Sequence, residues 1–583
     1  MNVVHIGEAA FGGGAAHAMV RLHRSLQRRN VESRLVVRRG AASGDADATV
    51  PTRGDADGLA SALRDAVVRQ YVELNRTTLT NTHYSLEIDG ADVSRLPIVA
   101  SSDVVHLHWT GAFQAPSDVA ALLDAKPVVW TLHDFAPLTG GCHFPAGCER
   151  YGDDCGTCPQ LVRDPFRVVA ATLADKQQLW AQARPTFIAP SRYIADRARR
   201  SAVVRASGAS VVHIPHGIDV EVFRPRPKVE ARNALGLPAD GVVVLCGSNH
   251  NGELRKGAPL VERVLGAVAA RAGTGPALTI LTVGDPPLDL DGIGVAVVHL
   301  GRVGAETMPS VYAAADLFVH ASLEDNFPGM LLESLACGTP AVAFDAGGVA
   351  DIVEDGQCGR LVAVGDERAL EEAVVALIDD PERRRRMGEG ARVRVTEHFD
   401  DRAIARRHAE LYAAVVAGPP ERRAGAAGSR RATVDAIYPR LAAACQAQEL
   451  ADARARAAQL AEDARTQSQY IAQLEAETAR LEATVEVQGA EIELVHRAAA
   501  DREELIEALH RIAASREKHP DVAELEAEIA QLKATISEQA AEIKLVHRAA
   551  ADRQQLIEDL DRAAKQREAV IDELRSRGGV EAV

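Results

Sequence analysis

Short apolar runs alternate with longer amphipathic stretches through residues 1–417. The first series of runs is Met1–Gly7, Ser33–Val37, Val104–His108, Pro127–Leu132, Thr186–Ala189 and Val211–Ile214. The second is Val242–Cys246, Ala277–Val283, Val295–Leu300, Leu317–His320 and Pro340–Phe344. Each run is too short for a helix and rich in Val, Ile and Leu, as expected of strands covered on both faces. Segments such as Ala15–Arg29, Ser191–Arg199 and Arg368–Leu377 carry helical spacing between them. Alternating strands and helices predict βαβ units and parallel sheets. Two series in succession predict an α/β chain with two doubly wound, Rossmann-like domains, placed at residues 1–188 and 189–417. The Gly418-Pro419-Pro420 start and the Gly, Ala, Ser and Arg that follow read as a linker over 418–444.

From residue 445 to 583 the period changes to seven. Apolar residues recur at alternating spacings of 4 and 3 from Leu460 through Ile471, Leu474, Leu481, Val485 and Ile492 to Leu509. Leu at one seam position with Ile, Val or Ala at the other predicts an all-α tail, a parallel two-stranded coiled coil, and therefore a homodimer. The competing reading is a solvated single helix. Pro520 interrupts the pattern, and a second run starts at Leu525. The two runs are a duplication with an offset of 51: Leu494–Arg502 repeats as Leu545–Arg553.

Composition sharpens this division. Of 22 aromatic residues only Tyr438 and Tyr470 lie beyond residue 430. Residues 431–583 carry 30 acidic and 20 basic side chains, so most of the net charge of −16 sits there. An acidic chain without a basic face is a poor candidate for nucleic-acid binding. No run of 18 apolar residues exists, and the first residues lack the basic and apolar regions of a secretory leader. A cytoplasmic location is expected. The arginines of the linker allow at most a peripheral contact with the inner membrane face.

Candidate chemistry sits at the ends of predicted strands, where open parallel sheets bind ligands. Phe11-Gly12-Gly13-Gly14 follows the first strand and opens a helix, which suits either a phosphate or a simple tight turn. His133-Asp134 ends the strand before it, as a site pair or a loop cap; His106, His108 and Trp109 end its neighbour. Arg255-Lys256-Gly257 places two cations at a helix start, suited to a diphosphate. The strongest local feature is Ser322 to Pro340, where Asp325 precedes a short helix and Glu333 lies within it. A buried carboxylate needs a partner, and ribose hydroxyls are a natural one.

Residues 1–417 resemble family 4 glycosyltransferases of the GT-B fold. The resemblance rests on an acid, seven residues, Glu333 and then Leu335-Ala336-Cys337-Gly338-Thr339-Pro340. Ile188-Ala189-Pro190-Ser191, Ile214-Pro215-His216-Gly217-Ile218-Asp219 and Gly347-Gly348 support it. Trp130 to Asp134 and Thr139 to His143 resemble a bacterial polysaccharide subgroup with a cysteine cluster. The resemblance implies retaining transfer from a nucleotide-sugar donor to a glycan or lipid-linked acceptor, with no cofactor for catalysis. It implies that Glu333 holds the ribose, and that Asp325, Asn326, Phe327 and Gly329 face the donor sugar. Arg255, Lys256, Gly13 and Gly14 would neutralise the diphosphate, with His133 beside the sugar, and His133 and Asp325 would be the catalytic residues. Two departures stand out: Asp325 where Glu is common, and Ser248 where Arg is common. A nucleotide-sugar epimerase and a coiled-coil scaffold with a degenerate transferase body are the alternatives.

Cys142, Cys148, Cys155 and Cys158 fall within 17 residues. The cluster suits a structural zinc ion, with free or redox thiols and disulfides as the other readings.

Overall fold

The computed structural model describes residues 1–39, 47–49, 66–86, 90–111, 113–181, 184–271, 276–418 and 433–515, with scattered residues between 527 and 538. The Pro520 break and most of the second heptad run lie outside the described residues.

Both expected parallel sheets are present. The first holds β1 (Asn2–Ala9), β2 (Glu32–Arg39), β3 (Ala48–Thr49), β4 (Val104–Leu107), β5 (Val128–Thr131), β6 (Thr186–Ala189) and β7 (Ser210–His213). Their spatial order is β3-β2-β1-β4-β5-β6-β7. The second holds β8 (Val242–His250), β9 (Leu278–Asp285), β10 (Ala296–His299), β11 (Leu317–His320), β12 (Ala341–Phe344) and β13 (Gly359–Val362). Their order is β10-β9-β8-β11-β12-β13. Every residue of β4, β5, β11 and β12 is buried, because helices cover both faces. β3 and β13 were not legible in sequence: one is two residues long, and the other is Gly-Arg-Leu-Val, half-buried along most of its length.

Three boundaries differ from the sequence reading. Thr186↔Ser210 to Ala189↔His213 pair in the first sheet, so the chain leaves that sheet after His213 and not at residue 188. The helix Asp401–Ala417 does not stay with the second sheet. Its Ile404, Ala405 and Tyr412 pack with Val3, Val104, Val129 and Ile188 of the first. The helix expected from residue 445 begins at Thr433, inside the predicted linker. Leu441 and Cys445, one helical turn apart, are buried in the core under the first sheet.

Two compact units result, Met1–Cys445 and Gln446–Val583. In the second unit residues 446–515 are helical, with Leu450, Leu460, Tyr470 and Val487 exposed. No helix of the described residues is long and apolar enough to cross a membrane.

Candidate active site

In each sheet, strand order reverses at one point: between β1 and β4, and between β8 and β11. Ligands of doubly wound sheets bind beyond the carboxyl ends of strands at such points. Within the first unit, residues following β1, β4, β5, β8 and β11 line one cavity of about 500 Å3. That volume is ordinary for a cofactor-sized ligand.

Gly12, Gly13 and Gly14 form one wall and lead into the helix Gly14–Gln27. Gly12 takes φ +90°, open to glycine and strained for other residues. A Cβ on any of the three would meet nothing within 4 Å, so packing against the protein does not demand the glycines, and the wall they form is open to the cavity. No side chain caps the first turn of this helix. Its N–H groups and positive dipole end are open to an anion.

The opposite wall is built after β8 and β11. Asp325 Oδ2 lies 2.6 Å from Lys256 Nζ and 3.5 Å from Arg255 Nη1. Burial alone would raise the Asp325 pKa, but the two cations outweigh it and hold the carboxyl well below its usual range. Burial and the neighbouring Arg255 lower the Lys256 pKa, and Asp325 partly restores it. Glu333, on the helix Gly329–Ala336, accepts from Tyr312 OH at 2.9 Å and pairs with Arg21. Arg21 comes from the helix after the glycine loop, so this ion pair closes the cavity from both sides.

Adjacent residues in the motif have different duties. Glu324 turns away from the cavity: Tyr193 OH donates to its Oε1 (2.9 Å) and Ala146 N–H to its Oε2 (2.9 Å). Asp325 is therefore the acid that faces the cleft. Asn326, expected at the donor sugar, borders the cavity, but its amide is committed to the other sheet domain. Its Nδ2 donates to Leu132 O (2.8 Å) and His133 O (3.0 Å), while Ser191 Oγ donates to its Oδ1 (2.7 Å). The side chain clasps the two sheet domains together. Gly348 makes that clasp possible, because a Cβ there would lie 1.8 Å from Asn326 O. Phe327 is buried edge-on against His216 and Phe399. Gly329 has no atom within 4 Å of where a Cβ would stand and borders the cavity. Ser248, where a cation is common, is tied to Asn251 through its N–H (2.7 Å).

His133 lines the cavity with its ring stacked on His216, centroids 5.1 Å apart. Burial lowers its pKa to about 4, so the ring is neutral. Asp134 is a hub. It accepts from Trp109 Nε1 (2.7 Å) and Ala136 N–H (2.9 Å) and sits 2.6 Å from His143 Nδ1. Ser85 Oγ lies 2.6 Å from His143 Nε2. The Ser85–His143–Asp134 chain has the connectivity of an acyl-transfer triad. The Ser85 hydroxyl, however, is buried and donates to Gly111 O, so it anchors the loop instead of attacking a substrate.

All four clustered cysteines are free thiols lining one small cavity of about 10 Å3. Burial raises the pKa of Cys142 and Cys155, and neighbouring thiols raise them further. Among the described residues the potential ligands converging within 4.8 Å are His5, His106 and His108, so the four sulfurs are gathered less tightly than that trio.

Sequence reasoning missed Arg21, Tyr312, Ser191 and Tyr193 as site residues. Arg21 lies seven residues after Gly14, two turns along its helix, and that spacing was the available signal.

Residues 289–394 match the family model described as glycosyl transferases group 1. The chain is 34% identical over 209 residues to a D-inositol 3-phosphate glycosyltransferase of Thermobispora bispora, covering 34% of this chain and 48% of that protein. It is 34% identical over 246 residues to a GDP-mannose-dependent alpha-(1-6)-phosphatidylinositol monomannoside mannosyltransferase of Mycolicibacterium smegmatis, covering 39% of this chain and 61% of that protein. The chain spans about half the length of the curated relatives it matches. A solved structure of HepE from Anabaena with UDP and glucose aligns at 19% identity and TM-score 0.48, over 71% of this chain and 100% of that one.

Proposed function

We propose that this chain is a glycosyltransferase that moves a sugar from a nucleotide-activated donor to a hydroxyl-bearing acceptor. The observation that carries the reading is the cavity itself. It sets an uncapped glycine-rich helix start opposite a Lys256–Arg255 pair, with Glu333 a short distance along the same wall. The diphosphate occupies the space between helix start and cations. The ribose hydroxyls donate to Glu333, replacing Arg21 and freeing that guanidinium for phosphate. As the sugar leaves, negative charge grows on the diphosphate, and the cations and helix N–H groups stabilise it without moving. Asp325 holds the two cations in place.

The names of the relatives support sugar transfer as the reaction class. Retention of configuration, a glycan or lipid-linked acceptor and a role in cell-surface polysaccharide synthesis extend the resemblance seen in sequence. We place the enzyme in the cytoplasm or at the inner membrane face, as a homodimer through its heptad tail. For Cys142, Cys148, Cys155 and Cys158, the donor chemistry around one cavity fits a structural zinc ion that would stiffen the loop carrying Phe144 and Ala146. Metal analysis of purified chain against a Cys158→Ser variant tests this; equal zinc-free preparations refute it.

The test of function is nucleoside diphosphate release and product mass over a panel of UDP- and GDP-sugars. Transfer to an acceptor supports the reading, epimerised donor supports the epimerase, and donor binding without turnover supports the scaffold. Glu333→Ala abolishing nucleotide binding is the expected control.

A further inference from the structure

Behind His133 stand two more imidazoles that the proposed reaction does not itself use. His5 lies in β1, His108 just beyond β4 and His133 just beyond β5, three adjacent strands. His133 Nε2 is 3.0 Å from His108 Nδ1, and His108 Nε2 is 3.0 Å from His5 Nδ1. The far end, His5 Nε2, is buried with no hydrogen-bond partner among the described residues. The near end, His133 Nδ1, is the nitrogen left for the cavity.

A metal ion is not the use of this cluster. His106 spends both nitrogens, on Tyr412 OH (2.6 Å) and Thr131 Oγ1 (2.7 Å). Of the six nitrogens of His5, His106 and His108, only His5 Nε2 is unengaged among the described residues.

Burial keeps all three rings of the chain neutral. A neutral imidazole has one N–H and one lone pair. Two bonds in series therefore force all three rings to point the same way, and only two arrangements exist. In one, His133 Nε2–H donates to His108, His108 Nε2–H donates to His5, and His5 Nε2–H is an orphaned buried donor. In the other, every bond runs outward from His5, whose Nε2 is a bare lone pair. Orphaned buried N–H groups are rare in folded proteins, and an N–H on His5 Nε2 would be one. The second arrangement wins.

We propose that His5 and His108 are positioning residues that lock His133 as the Nδ1–H tautomer, so that it presents a hydrogen-bond donor to an oxygen of the bound sugar nucleotide and not a base. The stacked His216 ring fixes the plane in which that N–H lies. The choice of oxygen rests on the transferase reading; the tautomer does not. A bare Nδ1 would be needed to take a proton from an acceptor hydroxyl, so acceptor activation falls to another group.

The experiment is histidine-selective 15N NMR of the full chain at neutral pH, with the His133 ring assigned by its loss in His133→Gln. A proton on Nδ1 and a bare Nε2 is the expected result. A proton on Nε2, or on both nitrogens, overturns the proposal. In His108→Gln the amide can donate or accept, so both tautomers of His133 are expected. There kcat falls about 2- to 10-fold while the donor KM holds. A single unchanged tautomer in a folded His108→Gln would also overturn it. If wild-type chain turns over no sugar nucleotide yet shows Nδ1–H, the function proposal fails and the positioning role stands.

Discussion

Acidification is expected to unfold the first unit well before its carboxylates protonate. Ten histidines titrate below their ordinary value, led by burial in each case. Glu324 and Asp401 are carboxylates shifted upward, which opposes the trend. A histidine lowered in the folded state binds its proton more readily when unfolded. Its stabilisation is full above the unfolded value near 6.5, erodes as pH falls below that, and stops eroding at the folded value. His83, His133, His320 and His408 each sit at about 4. For each, the loss between about pH 7.5 and about pH 5 is about 2 kcal/mol. Four acting independently would cost about 8 kcal/mol, comparable to the stability of a whole domain. Asp325, held low by Lys256 and Arg255, loses its contribution only at much lower pH. Urea midpoints measured at half-unit steps test this. The slope at about pH 5.5 should correspond to uptake of at least about three protons on unfolding, or roughly 4 kcal/mol per pH unit or more. A slope equivalent to less than about one proton would refute the reasoning.

Three further outcomes follow from the site and the tail. Asn326→Ala removes three buried hydrogen bonds and leaves two carbonyls without a donor and the Ser191 O–H without an acceptor; thermal melts should report about 2–4 kcal/mol of destabilisation, with nucleotide affinity little changed per folded molecule. Lys256→Met leaves Asp325 with one weaker cation, and steady-state kinetics should show kcat about 100-fold lower with the donor KM altered far less. The full chain should sediment as a dimer at micromolar concentration, and Leu474→Asp with Leu481→Asp should convert it to a monomer.

The sheets were legible because each strand is a local feature. A run such as Leu317–His320 is buried at every position only when helices cover both faces, and its apolar pattern is readable without coordinates. Asp325, Lys256, Glu333 and the glycine loop were legible for a related reason: in a doubly wound sheet, strand ends and helix starts are where ligands sit. Partners distant in sequence were not legible. Arg21 meets Glu333 from 312 positions away, and Tyr412 reaches His106 from 306. Asn326 occupied a motif position and was expected at the sugar, yet three partners in the other sheet domain claim its amide.

Sequence alone thus determined the two parallel sheets, the heptad pattern of the tail and the types of residue gathered at the strand ends around the cavity, because periodicity and strand-end placement are properties of neighbouring residues. Only the tertiary structure decided which acid faces the cleft, which amide clasps the domains and which imidazoles stand behind His133. Those outcomes depend on hydrogen-bond partners that separate parts of the chain bring together, and a buried polar group settles wherever such a partner is found.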